Sequence, residues 1–299
     1  MFPFVKYRKF YFLFSLALVG ASIIFLAIWG LNFSIEFTGG SELRFEYKNA
    51  VPDSSIIKEY FEKLNLENIS IRRFGEKGVI VRAKEIDAKT QEQLFSELKK
   101  NEQINPESIT FEDIGSIIGK ETTKKAFKAI ILSIVAIILY VAFAFRKMGR
   151  GTKPWEYGIA TVIALVHDVL LPVGIFAFLG HIKGVEFSLP VLTALLTIFG
   201  YSVNDTVVVF DRIRENQFRF GRLDFDEVVD RSLNQTLRRS INTSLTTLFV
   251  LFALFFLGGE SLRYFSLTLI LGIVFGTYSS IFLASPLLVS WYRMKLTRK

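Results

Sequence analysis

The sequence has 299 residues, 51% of them hydrophobic, and a formal net charge of +8 at neutral pH. The absence of cysteine excludes disulfide bonds, thiolate metal sites and cysteine nucleophiles. The apolar residues stand in long blocks and not in the short periodic runs of a soluble core, which excludes a soluble globular protein.

Six apolar blocks are long enough to cross a bilayer, whose hydrocarbon core of about 30 Å needs roughly 20 residues of helix. The sequence therefore predicts six transmembrane helices, with one folded domain between the first and the second. The blocks are Phe10 to Leu31, Ala126 to Phe145, Gly158 to Leu179, Leu189 to Phe210, Ile241 to Leu257 and Tyr264 to Trp291.

Basic residues cluster just beyond alternate ends of these blocks. The clusters are Lys6, Arg8 and Lys9; Arg146, Lys147, Arg150 and Lys153; Arg212, Arg214, Arg219 and Arg222; and Arg293, Lys295, Arg298 and Lys299. By the positive-inside rule, both termini are cytoplasmic and the segment after the first span lies outside. The excess charge thus reflects membrane topology, and we expect no binding of nucleic acid. The first block is too long for a cleaved signal peptide and no A-x-A site follows it, so we expect an uncleaved anchor.

Three regions follow from this pattern. Residues 1–31 form the cytoplasmic N-terminus and first span, residues 32–120 an extracytoplasmic domain, and residues 121–299 the remaining five spans with a cytoplasmic loop at 211–238. Inside that loop an amphipathic helix is predicted from Phe225, with Val228, Val229, Ser232 and Leu233 on the same side.

The outer domain has the pattern of alternating strands and helices. We predict strands at Ser41 to Tyr47, Ile69 to Phe74, Val79 to Ala83 and Ser108 to Asp113, and helices at Ser54 to Leu64 and Thr90 to Leu98. The order β-α-β-β-α-β is that of a small α+β domain of the ferredoxin-like kind. In its first strand, Leu43 and Phe45 alternate with Glu42 and Arg44, which predicts a half-buried strand.

Two carboxylates stand inside predicted spans, where ionisable groups are costly and usually functional. Asp205 lies in the fourth span toward its cytoplasmic half, between Asn204 and Thr206. Asp168 lies near the middle of the third span beside His167. An adjacent His and Asp are also what a structural hydrogen-bonded pair requires, so both interpretations stay open for this pair.

The fifth span carries a polar stripe that is unsuited to face lipid. Its residues recur at helical spacing and are Gln235, Arg239, Asn242, Thr243, Thr246 and Thr247. Because Arg239 enters from the cytoplasmic side, its depth matches that of Asp205. We therefore expect Asp205 to face Arg239 and Thr243. The cluster is either a structural salt bridge that fixes helix register or a carboxylate that gains and loses protons during a conformational cycle.

No motif of an enzyme is present: the sequence lacks a P-loop, a G-x-S-x-G elbow, an H-E-x-x-H zinc motif and a glycine-rich dinucleotide loop. We expect no catalytic activity, no metal and no cofactor other than protons.

Several segments resemble the SecF family of bacterial protein-export membrane subunits, which belongs to the RND permease superfamily. The resemblance covers essentially the whole chain. The matching segments are Phe37 to Gly40, Ala164 to Asp168, Ser202 to Asn216, Asn234 to Ser240 and Gly276 to Ile281. The chain departs from the family pattern before the glycine pair, where it has Ser34-Ile35-Glu36-Phe37 in place of Gly-x-Asp-Phe.

The resemblance implies an RND-type half unit of six spans in the bacterial cytoplasmic (inner) membrane. Members of the family pair with SecD, associate with the SecYEG channel and accessory proteins such as YajC and YidC, and use the proton-motive force to help move unfolded polypeptides outward. The family's proton-coupling residues map onto Asp205, Arg239 and Thr243. Asn204, Thr206, Asn242, Thr246, Asp168 and His167 would support them. Two alternatives remain, namely half of a small-molecule exporter of the same superfamily and a purely structural subunit that stabilises the translocon.

Overall fold

A computed structural model describes residues 1–63, 66, 69–84, 86–146 and 152–297 of the chain. Some residues named in the sequence analysis lie outside the described residues. They are Leu64, at the predicted end of a helix, and four members of the basic clusters, Lys147, Arg150, Arg298 and Lys299. The chain divides into two compact units. The first comprises residues 1–31, 128–178 and 190–299, and the second comprises residues 32–127 and 179–189.

The helices and strands follow one another in an order close to the predicted one. They are a 3-10 turn Val5–Tyr7, α1 Arg8–Trp29, α2 Ile35–Thr38, β1 Gly40–Glu46, α3 Ser54–Glu62, β2 Ser70–Phe74, β3 Gly78–Ala83, α4 Ala88–Lys100, a 3-10 turn Pro106–Ser108, β4 Thr110–Ile114, α5 Ser116–Ala144, α6 Pro154–Lys183, α7 Leu189–Arg219, α8 Phe225–Leu257, α9 Glu260–Ser279, a π-helical turn Ser280–Ala284 and α10 Ser285–Thr297.

Six helical segments of the described chain are long and apolar enough to cross a membrane, which confirms the predicted number. They are α1 with its leading turn, α5, α6, α7, α8, and the continuous run through α9 and α10. Most of the helices extend beyond the apolar blocks at one end or both, whereas α1 ends at Trp29, two residues before the end of its block. Helix α8 begins at Phe225, and its predicted amphipathic start is confirmed because Val228, Val229, Ser232 and Leu233 are all buried.

Aromatic packing forms part of the core of the first unit. The fully buried ring of Tyr157 on α6 lies parallel to Phe145, with ring centroids 5.4 Å apart, and edge-on to Phe210 of α7 at 5.1 Å. Glycines bring other helices closer together. A Cβ at Gly276 of α9 would lie 3.2 Å from Cβ of Ser202 on α7, so the absence of a side chain allows these helices to approach closely.

The second unit contains a four-stranded antiparallel sheet in the order β2-β3-β1-β4. In the central strand Leu43 pairs with Val81 on one side and with Phe111 on the other. Helices α3 and α4 supply Ile57, Phe61, Leu94 and Leu98 to the buried core on one face of the sheet. Sequence periodicity therefore located the strands, both helices and the apolar face of β1.

The other face of β1 differs from the half-buried strand that alternation predicted, because Glu42 is only 1% exposed. Its carboxylate accepts hydrogen bonds from Nε of Arg44 at 2.5 Å and from Nε of Arg82 at 2.6 Å. Arg82 also pairs with Glu186, which in turn pairs with Arg72 at 3.2 Å. Glu186 follows α6 and is remote in sequence from β1. The alternation of residues within β1 therefore gave no indication that Glu42 is buried.

The glycine pair after α2 is required by close backbone approaches. Gly39 and Gly40 have φ values of +73° and +114°, a region that favours glycine. A Cβ at Gly39 would lie 2.7 Å from Cα of Ser116, and one at Gly40 would lie 2.8 Å from the carbonyl oxygen of Ala83. The glycine pair is therefore a structural joint between α2 and β1.

Candidate functional site

Asp205 lies on α7 and its carboxylate is held by two serine hydroxyls. Ser240 of α8 donates to Oδ1 at 2.6 Å, and Ser280, at the start of the π-helical turn, donates to Oδ2 at 2.5 Å. The side chain is half-buried. Because hydroxyls are neutral, they stabilise the charged carboxylate without cancelling its charge.

The expected contact of Asp205 with Arg239 and Thr243 is wrong. Among the described residues, no lysine or arginine forms an ion pair with Asp205. Arg239 is exposed, and its carbonyl oxygen accepts a hydrogen bond from Oγ1 of Thr243 at 2.8 Å. Arg239 and Ser240 are consecutive, so their side chains point about 100° apart around the helix. Equal depth in the membrane correctly identified the turn of α8 that lies beside Asp205. Depth alone does not determine which face of α8 is directed toward Asp205.

The two faces of α8 are both polar. Its buried face carries a row at four-residue spacing, Ser232, Thr236, Ser240 and Ser244. The predicted stripe lies on another face, where Arg239, Asn242, Thr243 and Thr246 are all exposed. On α7, Asn204 is exposed, whereas Thr206 is buried and donates to the carbonyl oxygen of Ser202 at 3.1 Å. The predicted residues therefore divide into a buried group and an exposed group.

Asp168 of α6 is 0% exposed and has more partners than Asp205. Its Oδ2 accepts hydrogen bonds from Ser202 of α7 at 2.5 Å and from Ser279 of α9 at 2.6 Å. Its Oδ1 lies 2.9 Å from Nδ1 of His167. The His167 ring is buried, lies nearly parallel to the Tyr278 ring at a centroid distance of 6.0 Å, and its Nε2 has no hydrogen-bond partner among the described residues.

Two consecutive residues of the last span donate hydrogen bonds to the two carboxylates. Ser279 ends α9 and donates to Asp168, while Ser280 begins the π-helical turn and donates to Asp205. The hydroxyl of Ser285 accompanies this turn and donates to the carbonyl oxygen of Ser280 at 2.9 Å. π-Helical turns inside α-helices occur frequently at functional sites. The site is thus a polar layer that joins α6, α7, α8 and the α9–α10 helix.

Residue types alone did not reveal the serines that hold the carboxylates, which are Ser202, Ser240, Ser279 and Ser280. Serine is common in spans and carries no charge, so it stands out only by spacing. One such signal was present: Ser232, Thr236, Ser240 and Ser244 recur every four residues along the helix predicted from Phe225.

Glu36, where the chain departs from the family pattern, acts locally in the second unit. Its Oε2 accepts hydrogen bonds from the Ser34 hydroxyl at 2.9 Å and from the backbone N–H of Leu189, the first residue of α7, at 2.5 Å. A carboxylate at this position satisfies an amide that has no partner within the helix and interacts favourably with the helix dipole.

Comparison with sequence families gives two matches. Residues 93–294 match the family described as protein export membrane protein SecD/SecF, C-terminal, and residues 24–51 match the SecD/SecF GG motif. The second match contains the Gly39–Gly40 joint. The first contains Asp168, Asp205 and the four serines around them.

Individual proteins are similar over nearly the full chain. The protein translocase subunit SecF of Thermobaculum terrenum is 41% identical over 97% of this chain and 94% of its own length. SecF of Sebaldella termitidis is 38% identical over 97% of this chain and 92% of its own length.

A solved structure shares the fold. A crystal structure of SecDF from Thermus thermophilus, described as a translocon-associated membrane protein, superposes with a TM-score of 0.86 at 34% identity. The match covers 98% of this chain and 39% of that longer one. These similarities extend through both units, and the chain therefore belongs to the SecF family of protein-export membrane subunits.

Proposed function

We propose that this chain couples proton movement to protein translocation across the bacterial cytoplasmic membrane, together with SecD and the SecYEG channel. Both termini would be cytoplasmic, and the second unit would be a ferredoxin-like domain on the outer side. YajC and YidC would be accessory partners and an unfolded polypeptide the cargo. The chain would perform no covalent catalysis and need no cofactor besides protons.

The observation that carries this proposal is the environment of Asp205. A carboxylate within an apolar helix is stabilised in its charged form by Ser240 and Ser280, and both hydroxyls come from other helices. Movement of either helix away from α7 would remove a donor and so favour protonation of the carboxylate. Protonation would in turn weaken the attraction that holds the helices together. Proton binding and helix position are therefore linked in both directions.

The membrane potential supplies enough energy for such a cycle. One elementary charge moved through about 100 mV yields about 2.3 kcal/mol. Hydrogen bonds to charged groups contribute about 1.5–3 kcal/mol each. One proton per cycle thus matches the free energy of breaking one of the two serine contacts with Asp205.

The exposed polar stripe of α8 supports a membrane partner. Arg239, Asn242, Thr243 and Thr246 lie exposed on a helix that is otherwise suited to lipid. Polar side chains at membrane depth usually face protein or water. SecD is the natural candidate. The similar SecDF structure is of a longer chain, and this chain matches only 39% of it. In this proposal Arg239 and Thr243 act at the contact with SecD.

Because the chain has no cysteine, single cysteines test this contact directly. Thr243→Cys should be protected from a lipid-soluble maleimide when SecD is co-expressed and labelled when SecD is absent. Leu132→Cys on α5, where the native side chain is 70% exposed, serves as the control and should be labelled in both cases. Equal labelling of Thr243→Cys with and without SecD would contradict the proposed contact.

The coupling itself is tested by export into vesicles under an imposed gradient. Asp205→Asn should lose the gradient-dependent part of export while its membrane level and association with SecD stay normal. Asp211→Asn is the matched control, since Asp211 lies on the same helix and is exposed in a pair with Arg214 at 2.5 Å. Separate proton and sodium gradients identify the ion. Unchanged gradient-dependent export by Asp205→Asn would refute the proposal.

A structural role is the second candidate, because the two hydrogen bonds to Asp205 would also hold the helices in one fixed arrangement. It predicts that export is insensitive to uncouplers and that Asp205→Asn, which keeps the size and the acceptor oxygen of the side chain, exports normally. The same assay therefore separates the two candidates.

A further inference from the structure

Asp168 and His167 are 0% and 3% exposed, and the coupling just proposed does not use this buried pair. We propose that Asp168 and His167 form a second proton-exchanging pair whose protonation is coupled to that of Asp205 through Ser279 and Ser280. The inference deepens the proposed function and rests on it, since it takes Asp205 to exchange protons.

The composition of the cluster is the first argument. Three helices supply groups to Asp168: its own helix α6 supplies His167, α7 supplies Ser202 and α9 supplies Ser279. Within the described residues, His167 is the only partner of Asp168 that is able to carry positive charge. A fully buried carboxylate that relied on permanent neutralisation would need a lysine or arginine. Histidine instead gains and loses a proton near neutral pH.

The free nitrogen of His167 is the second argument. Nδ1 faces Asp168, while Nε2 is buried and makes no hydrogen bond in the described part of the chain. Buried polar atoms are almost always paired, so one that is not calls for a function. A proton arriving at Nε2 would leave an imidazolium beside a carboxylate. Its release from Nε2 would restore the starting state, whereas loss of the Nδ1 proton would leave the other neutral tautomer. The step conserves protons and needs no other reactant.

The route between the two carboxylates is the third argument. Ser279 and Ser280 are consecutive, so their hydroxyls point to different helices, and each donates to one carboxylate. Rotation of the π-helical turn would move both hydroxyls together. On the other side, Ser202 contacts Asp168 and lies one turn before Asp205 on α7. A change at either carboxylate thus acts on a segment that also holds the other.

Within the part of the chain that the structure describes, no third charged group forms an ion pair with Asp168 or His167. The Tyr278 ring stacks on His167, and its hydroxyl donates to the carbonyl oxygen of Tyr11 at 3.3 Å. Phe275 covers the imidazole edge-on at a centroid distance of 6.5 Å. These contacts keep the ring in place and carry no charge at neutral pH. The charge state of the pair is therefore set by the two residues themselves and by the hydroxyls of Ser202 and Ser279.

The chain offers a clean spectroscopic test, because it contains only two histidines, His167 and His181. The full chain is labelled with 15N-histidine, reconstituted with SecD in lipid nanodiscs, and titrated between acidic and alkaline pH. A His181→Gln variant assigns the His167 signal. We expect His167 to titrate, and Asp205→Asn to shift its midpoint, because Ser280 then loses its charged acceptor and the neighbouring Ser279, which holds Asp168, is disturbed. The expected shift is about one pH unit, a tenfold change in the equilibrium constant.

The serine link is tested by repeating the comparison in a Ser279→Ala background, where the effect of Asp205→Asn should shrink. Ser280→Ala should act in the same way and replaces it if Ser279→Ala does not fold. Ser290→Ala is the control, because that hydroxyl donates to the carbonyl oxygen of Pro286 on its own helix. The control should retain the full shift.

Three outcomes would overturn the inference: a His167 signal that does not titrate, a midpoint unmoved by Asp205→Asn, or an equal shift in the serine variants. Loss of gradient-dependent export in Asp205→Asn with an unmoved His167 midpoint would refute this inference alone. A shifted midpoint in a variant that exports normally would refute the proposed function instead.

Discussion

Ser279 and Ser280 are neighbours in the chain, yet they donate hydrogen bonds to carboxylates on two different helices, Asp168 and Asp205. One fully buried and one half-buried carboxylate are thereby held at the junction between α9 and the π-helical turn. The arrangement gives the last span a direct part in the site, although it contributes no charged group there. The predictions below test this site and the second unit.

The contact between Ser280 and Asp205 should matter for export. Ser280→Ala removes one of two donors to the carboxylate, and a hydrogen bond to a charged group is worth about 1.5–3 kcal/mol. Such a loss corresponds to roughly a tenfold to hundredfold change in the equilibrium between the two protonation states. Gradient-dependent export should therefore fall, and its optimum pH should shift. Ser290→Ala, the matched change outside the site, should export normally, and equal export by both variants would contradict the assignment.

Sequence reasoning reached this site only in part. Helical spacing fixed which residues share a face of α8, but the rotation of α8 against α7 depends on packing between helices. The face of α8 that carries the serine row turns toward α7, so that Ser240, not Arg239, lies beside Asp205. Strand periodicity likewise located the apolar face of β1, whereas the burial of Glu42 depends on Glu186, which is remote in sequence. What the chain encodes locally was predictable, and what depends on contacts between distant segments was not.

Substitution of Gly39 in the glycine joint should lower stability both through its backbone angles and through its close neighbours. Gly39→Ala would strain a positive φ and also place a Cβ 2.7 Å from Cα of Ser116. Gly75 provides the matched control, since its φ is +57° and nothing lies within 4 Å of its would-be Cβ. Gly75→Ala should cost about 1–2 kcal/mol from backbone strain alone.

Gly39→Ala should cost more than this, because its φ of +73° and ψ of +172° lie in a region that is nearly closed to other residues and because the backbone of Ser116 has to move. Thermal unfolding of the purified full chain in detergent measures the difference. Melting temperatures lowered equally by the two substitutions would show that the close approach to Ser116 has no energetic consequence.

Glu186 should make stability depend on pH. Burial raises the pKa of Glu186 from 4.5 to about 7, even though Arg82 and Arg72 favour its charged form. Between these two pH values the folded state binds more protons than the unfolded state, so the free energy of unfolding falls as pH rises. This contribution is fully present below pH 4.5 and lost as pH rises through about 7.

Glu186→Gln removes this titration. The melting temperature of the variant minus that of wild type should therefore increase from about pH 4.5 to about pH 8, two values on either side of the transition. Glu92→Gln on the exposed side of α4 is the control and should change little in the same comparison. A difference between wild type and Glu186→Gln that is the same at both pH values would contradict the assignment.

The central claim is that Asp205 exchanges a proton, and infrared difference spectroscopy tests it most directly. Spectra of the full chain reconstituted with SecD are recorded at acidic and alkaline pH, and the carboxyl stretching band of protonated side chains is compared between variants. The account predicts that part of this band disappears in Asp205→Asn and is retained in Asp211→Asn at the pH values where Asp205 titrates. A difference spectrum in that band identical for wild type and Asp205→Asn would contradict the claim.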